Sequence, residues 1–577
     1  MADIQNETED KAQDVNSKVD VKDQVVVSKA GTAQKGEAEA EFKSTIADLP
    51  WTSDQTDLLG MEVYRNAVID YISRSDTPFS IALVGEWGCG KTSIMNAIYD
   101  SLCKYNHPPY YGIWINTWQF SLMTQPQQAI ISMLQSMVDQ IAGLKPCKET
   151  DERRSNINKL LVCLLIAGLK LTYKVVDVKA TGGMLSQIGL DANTVIDTAV
   201  DEIRKIDDDK SDDVTNDKDA QETTDSIVKK LKTEISCLIH DVLIFNNKCT
   251  VCNDCNCEYK ASSEMMPYNG EKKGFVFFID DLDRIPPVLS IDVIEVFKNI
   301  FDIEKCIFVV AVDHHRLERG LESKFGPRNI QNDYEYVRYL DKIFQIMIPI
   351  RIDFYDTELL IEKMIKIAGF DDEDKLSKDE LKELDFILRQ SVGGNPRSIK
   401  NFFNKLSLAC TLSKHVDQYV LDHFGSKQER SKLNELSVKN RKKLRFIFIA
   451  LGMSYPEIYG LIELRPYFRG WDSEFVYQIL VNNLVNLNDA DKIISLTNNE
   501  LREPWELALF QICFLAPRLR CNFVKILNIL RKIDEIFKTA RGPQDNYEDI
   551  ISELFGICNT DGGVSKSMIA FMKSCAL

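Results

Sequence analysis

Basic charge is scarce in this chain. It carries 70 Lys and Arg against 87 Asp and Glu, a formal net charge of −17. A bulk nucleic-acid coat needs a basic field to neutralise phosphates, so that class is excluded, though a local basic patch is not. Long apolar runs are also lacking. In the middle of the chain, the unbroken run Leu160 to Leu169 stops at Lys170, with Lys174 beyond. A bilayer span needs about 20 residues, so a many-pass membrane protein is excluded and membrane contact is expected to be peripheral at most. The acidic start lacks an apolar h-region, so no secretory leader is expected. With Ala2 at the start no myristoylation is expected, and with Cys575 third from the end, where a prenylation box needs the fourth, no prenylation is expected. Aromatic residues are absent from residues 1–41, which are rich in Asp, Glu, Lys, Gln and Ala. Such a segment cannot bury enough apolar area to offset its ordering entropy, and residues 1–44 read as a mobile acidic tail.

What is present is ordinary globular material, 44% hydrophobic and 27% charged over 577 residues. That length suggests roughly four domains, or two larger ones. Fifteen cysteines in so long a chain do not make a disulfide scaffold. They read mainly as buried small hydrophobes of a reducing cytosol, which sets the expected location as cytoplasmic.

Apolar residues recur at helical spacing from Met61 to Ile72. Phe79–Val84 reads as a buried strand, followed by a Gly-rich loop and a helix over about Thr92–Leu102. Tyr111–Ile115 reads as a strand and Ala129–Ile141 as a helix. These belong to a half-core spanning 45–144. Residues 145–272 differ in character. They hold an apolar helix-like stretch from Leu160 to Val176, then Asp207–Asp225, with nine acidic residues against two lysines. That second stretch is expected to be solvated and irregular. The region reads as an insertion, because α/β patterning resumes over 273–355. Gly274–Ile279, Cys306–Val312 and Ile343–Ile348 are apolar strand runs there, with a helix over about Val288–Ile300. Beyond about Glu358 the pattern is helical: a lid over 356–425 and a C-terminal helical domain over 426–577. The fold class is thus α/β, a parallel sheet covered on both faces, interrupted by a mainly helical or irregular insertion and followed by an all-α region.

Two motifs carry chemistry. Gly85-Glu86-Trp87-Gly88-Cys89-Gly90-Lys91-Thr92 fits G-x-x-x-x-G-K-[ST] in full, with a strand before it and a helix after it, and Ser93 completes the nucleotide-binding set. Its glycines let backbone N–H groups curl around phosphate oxygens at a helix N-terminus. Lys91 can reach the β- and γ-phosphates of ATP, and the Thr92 hydroxyl can ligate Mg²⁺. The partner motif is Phe277-Phe-Ile-Asp280-Asp281, an apolar strand ending in an acidic pair. Asp280 at the strand tip can hold Mg²⁺ through water, and Asp281 can act as general base on the attacking water. Asp rather than Glu shortens that reach by one methylene, so slow turnover is expected.

These segments, with Asn116-Thr-Trp118-Gln-Phe120, Ile279-Asp-Asp-Leu-Asp-Arg284 and Pro286-Pro287, closely resemble the KAP family of P-loop NTPases. Phe308–Asp313, Tyr339–Ile343 and Asn395-Pro-Arg397-Ser-Ile-Lys400 resemble it too, so the likeness runs from about Asp48 to Leu406. The resemblance implies an ATPase core of the AAA/ASCE type. Many relatives carry transmembrane helices between the two nucleotide motifs, where this chain has too short an apolar run. Bacterial relatives are often tied to phage exclusion.

Secondary candidates surround these motifs. Asp313 ends a strand beside the acidic pair, where related ATPases place a γ-phosphate sensor. It reads equally as a helix N-cap. Arg397 lies where a lid helix would bring a cation to the phosphates, with a surface salt bridge as the rival. Arg284 and Arg338 are arginine-finger candidates across a subunit interface, with ion pairing as the rival. Cys249, Cys252, Cys255 and Cys257, with Cys237 and His240 upstream, suit zinc, although four ligands within nine residues is cramped. Free thiols or redox pairing are the alternatives. Basic residues gather late, among them Lys439, Arg441, Lys442, Lys443, Arg445, Arg518, Arg520, Lys525, Arg531 and Lys532. A solvated helix face is the usual reading, an anionic partner the other.

Taken together, the sequence predicts an ATPase that couples ATP·Mg²⁺ to a conformational or assembly switch, as a homo-oligomer with an unspecified effector partner, in a setting such as anti-phage defence. An ATP-binding scaffold with little turnover and a nucleic-acid-associated ATPase remain as alternatives.

Overall fold

A computed structural model of the chain describes residues 46–172, 217–247, 272–370, 376–424, 437–482 and 487–539, apart from 54, 105–107, 124 and 499. The described residues all belong to one compact unit, 42–577. The expected tail at 1–44 and the cysteines at 249, 252, 255 and 257 lie outside them.

Five strands form one parallel sheet: β1 (Phe79–Val84), β2 (Tyr110–Asn116), β3 (Gly274–Asp280), β4 (Cys306–Val312) and β5 (Ile346–Pro349), in the order β2-β3-β4-β1-β5. β3 and β4 are buried along their whole length, while the edge strands β2 and β5 are only partly so. Central parallel strands are covered on both faces, which is why GFVFFID and CIFVVAV carry no polar alternation before their tips. Register aligns the C-terminal tips: Val84 lies beside Val312, and Asn116 beside Asp280. Ligands of open α/β sheets bind at this edge.

Alternate residues of β3 feed two cores. Phe275, Phe277 and Ile279 face one side, and Val276 and Phe278 the other. Helices α1 (Glu62–Ser73) and α2 (Lys91–Tyr99) cover the second side. The first is covered by α3 (Pro126–Gly143), α4 (Lys148–Thr172), α5 (Asp217–Asn247), α6 (Pro287–Phe301), α7 (His314–Phe325) and α8 (Asp333–Ile343). Ring packing is dense there: Phe277 stacks on Phe308 with centroids 4.8 Å apart.

The insertion departs from expectation in two ways. Its helices are part of the sheet's own core, since Ile157, Leu161, Ile227, Leu231 and Ile235 are buried with Phe277. Arg153 on α4 pairs with Glu234 at 3.4 Å and Asp241 at 2.6 Å on α5. Moreover, of the stretch Asp207–Asp225 expected to be irregular, residues 217–225 lie inside α5, while 207–216 lie outside the described residues. Acidic residues at a helix N-terminus complement the macrodipole, so the charge that suggests solvation also suits the first turns of a helix. Among the described residues, no helix is long and apolar enough to cross a membrane.

A second core is wholly helical. It is built by α9 (Glu358–Ile367), α10 (Lys378–Gln390), α11 (Pro396–Phe424), α12 (Val438–Ser454), α13 (Pro456–Leu464), α14 (Ser473–Asn482), α15 (Leu487–Ile494), α16 (Pro504–Cys513) and α17 (Pro517–Thr539). Several late basic residues are held in ion pairs. Lys439 pairs with Glu380, Lys443 with Glu383 at 2.5 Å and Arg531 with Glu506 at 2.7 Å.

Candidate functional site

The loop between β1 and α2 is bent by two glycines in the left-handed region, Gly88 at φ +85° and Gly90 at φ +103°. A side chain at Gly88 would also meet Arg397 Cβ at 2.7 Å and Asn395 Oδ1 at 2.9 Å, because the start of α11 closes on the loop there. Hydrogen bonds hold the loop from three directions. Gly85 N–H donates to Val312 O at 3.1 Å, Tyr355 Oη to Cys89 O at 2.6 Å, and Asn395 Nδ2 to Trp87 O at 2.9 Å. Lys91 starts α2 and is buried. Its Nζ donates to Gly85 O at 3.0 Å and Glu86 O at 3.1 Å, and pairs with Asp283 Oδ2 at 3.2 Å.

Asp280 closes β3 and is buried. Burial, and next the neighbouring Asp281 charge, push its carboxyl above the usual carboxylate range. Hydrogen bonds from the Asp281 N–H at 2.8 Å and from the Thr92 hydroxyl work the other way. Thr92 and Asp280 thus face each other across the gap between α2 and β3. Two oxygen donors of this kind suit a hard divalent cation such as Mg²⁺. Asp281 takes the left-handed conformation at φ 60°. Both its oxygens are engaged: Oδ2 accepts from Asn116 Nδ2 at 2.9 Å, and Oδ1 pairs with Arg284 Nε at 2.8 Å. The Arg284 guanidinium lies over the Trp118 ring at 4.6 Å.

These groups open onto one cleft of about 430 Å³. Its lining includes the glycine loop, the three aspartates 280, 281 and 283, Arg284 and Arg397, and also the apolar side chains of Trp51, Leu58, Leu59, Met61 and Leu360. Trp51 is fixed to the helix that begins at Lys91: its N–H donates to Ser93 Oγ at 3.0 Å, and its carbonyl accepts from Asn96 Nδ2 at 3.1 Å. Arg65 stacks on the Trp51 ring at 4.0 Å and pairs with Asp57 at 3.1 Å. A strap over 46–51 also ties to α11. Ile46 and Asn404 exchange two hydrogen bonds, Arg397 and Lys400 pair with Asp48, and Lys400 donates to Leu49 O at 3.1 Å.

Among the sequence-predicted residues, Gly88 to Ser93, Asp280, Asp281, Arg284 and Arg397 line this one cleft, and Arg397 also covers Trp87 at 4.5 Å. Asp313 does not line it. It caps α7, accepting from His315 N–H at 2.9 Å, and faces a smaller neighbouring cleft with Gly85 and Glu86. Arg338 is exposed on α8 and stacks on Tyr334 at 4.6 Å. Cys237 and His240 lie on α5, half-buried and exposed respectively. Sequence reasoning missed Asp283, Asn116, Tyr355, Asn395 and Trp51. Asp283 and Asn116 stand inside motifs that the family resemblance picks out, so their presence was a signal without a role. Trp51 lies in an irregular segment and had no periodic signal.

A strand, a glycine-rich loop and a helix, facing an acidic strand tip across a parallel sheet, define the P-loop nucleotide-binding class. The model of the KAP family P-loop domain matches residues 61–412, more than half of the chain. The chain belongs to the KAP family of P-loop NTPases. No curated protein matches it.

Proposed function

We propose that the chain binds ATP with Mg²⁺ and hydrolyses it slowly, and that nucleotide occupancy sets the angle between the sheet core and the helical region. The observation that carries this reading is the single cleft that Lys91, Thr92, Asp280 and Asp281 line together with the apolar side chains of Trp51, Leu58, Leu59 and Met61. The triphosphate lies along the loop, its charge met by Lys91 and the N-terminus of α2. The nucleoside lies toward Trp51. Thr92 and Asp280 hold Mg²⁺, which would neutralise charge on the phosphate oxygens. Asp281 takes a proton from water as the water oxygen bonds to the γ-phosphorus. The bond from that phosphorus to the bridging oxygen breaks, releasing ADP and phosphate. Arg397, tied both to the strap and to the loop, senses the γ-phosphate and passes its presence to α11.

The engagement of both Asp281 oxygens by Asn116 and Arg284 supports slow turnover, and is the observation that favours the scaffold reading as the second choice. We further read the protein as a cytoplasmic homo-oligomer, with anti-phage defence as the setting that the family resemblance suggests.

Binding of ATP·Mg²⁺ and of inorganic tripolyphosphate·Mg²⁺ tests the assignment of the two ends. Trp51→Ala should weaken ATP and leave tripolyphosphate unchanged. Equal loss of both would move the nucleoside elsewhere. Absence of ATP binding to the unaltered chain would sink the reading. Particle size with and without ATP·Mg²⁺ tests the assembly switch.

A further inference from the structure

We infer that Asp283 is a positioning residue that competes with the triphosphate for Lys91, and that breaking the Lys91–Asp283 pair frees Asp281 to act as base. This rests on the ATP-binding reading above. A lysine ammonium has three donors. Here all three are committed, to Gly85 O, Glu86 O and Asp283 Oδ2. A phosphate oxygen gains Lys91 only by displacing one of them. The two carbonyls belong to a loop held by the Gly85 N–H bond to Val312 and by the pull of Asn395 and Tyr355. Asp283 instead sits on the three-residue turn Leu282–Arg284, so it is the exchangeable partner. Both side chains are only 8% exposed, so water competes poorly for the pair and a phosphate anion must replace the carboxylate directly.

The turn couples that exchange to the base. It is anchored at Leu282, whose carbonyl accepts from Ser290 Oγ at 2.8 Å. Beyond that anchor, the Arg284 N–H bond to Asp281 O at 3.0 Å closes it. Asp283 and Arg284 are neighbours on this turn, so a shift of the turn that takes Asp283 off Lys91 moves Arg284 as well. Arg284 is the residue that pins Asp281 Oδ1. The pair thus acts as an internal anion: it keeps Lys91 neutralised and Asp281 masked until a phosphate group takes its position.

A pair formed in about nine-tenths of molecules lowers apparent affinity by about tenfold. Asp283→Asn should therefore bind ATP·Mg²⁺ about tenfold more tightly than the unaltered chain. Its kcat should rise, because without the pair nothing holds the turn, and with it Arg284, over Asp281. The tightening should vanish in a Lys91→Ala background. A merely structural Asp283 would lower thermal stability without tightening ATP, and an Asp283 that ligates Mg²⁺ would weaken ATP. Either result overturns the inference while ATP binding by the unaltered chain keeps the nucleotide reading intact. Hydrogen exchange on the unaltered chain gives a test that needs no variant. ATP·Mg²⁺ should speed exchange of the Arg284 N–H. Unchanged or slower exchange there refutes the release of the turn.

Discussion

Gly88 is where the phosphate loop and the lid touch, and replacing it with alanine has a cost that can be worked from the geometry. The dihedral component comes from φ +85°, which costs an L-residue about 1–2 kcal/mol. The contact component comes from a methyl group 2.7 Å from Arg397 Cβ and 2.9 Å from Asn395 Oδ1. Neither neighbour is the free end of a flexible chain, because Asn395 is held to Trp87 O and Arg397 to Asp48. Overpacking of this kind costs about 1–3 kcal/mol. Gly393 supplies the control. It has φ +82° and open space where its Cβ would lie, so Gly393→Ala bears the dihedral component alone. Urea unfolding of both variants should leave Gly88→Ala the less stable by about 1–3 kcal/mol, and ATP titration should show weaker binding for Gly88→Ala only. Equal destabilisation, with unchanged ATP affinity in both, would refute the claim that the lid closes on the loop at this glycine.

Lys91→Ala should lose both ATP affinity and turnover, measured by ATP titration and phosphate release. Asp281→Asn should bind ATP normally, hydrolyse it far more slowly and accumulate as the ATP-bound assembly in size-exclusion profiles; hydrolysis at the unaltered rate would remove Asp281 from its role. The raised carboxyl of Asp280 makes the folded chain hold that proton more tightly than the unfolded chain does. Its stabilising contribution is therefore present at low pH and lost as pH rises from the ordinary carboxylate range through the raised value. Asp280→Asn should accordingly raise the melting temperature at neutral pH, flatten that pH dependence and weaken Mg²⁺-dependent ATP binding. If Cys249, Cys252, Cys255 and Cys257 form a structural zinc clip, metal analysis should find about one zinc per chain; near-zero metal after reducing purification would exclude it.

The sheet was legible because its central strands are buried on both faces. Cys306–Val312 is an unbroken apolar run, Phe79–Val84 is interrupted only by the buried Ser80, and each matches its strand end to end. The loop and acidic pair were legible for a different reason: phosphate chemistry demands those residue types at that spacing. What escaped was set by distance along the chain. Lys91 and Asp283 meet across 192 residues, and Asn395 and Trp87 across 308; no local pattern encodes either contact. Asp313 had two readings open, and its bond to the His315 N–H shows the capping one directly.

The strap over residues 46–51 behaves as a suture with two seams. On the α11 side it is stitched by the paired bonds of Ile46 with Asn404, by Asp48 to Arg397 and Lys400, and by Leu49 to Lys400. On the core side it is stitched at Trp51, to Ser93 and Asn96 and beneath the Arg65 guanidinium of α1. A lid that swings away from the core must break one of the two seams. Where the core seam gives, the strap travels with the lid, and Trp51 leaves with it. Opening would therefore unroof the nucleoside end of the cleft while the phosphate loop stays in place on the sheet, so that a departing nucleotide loses its base contacts before its phosphate contacts.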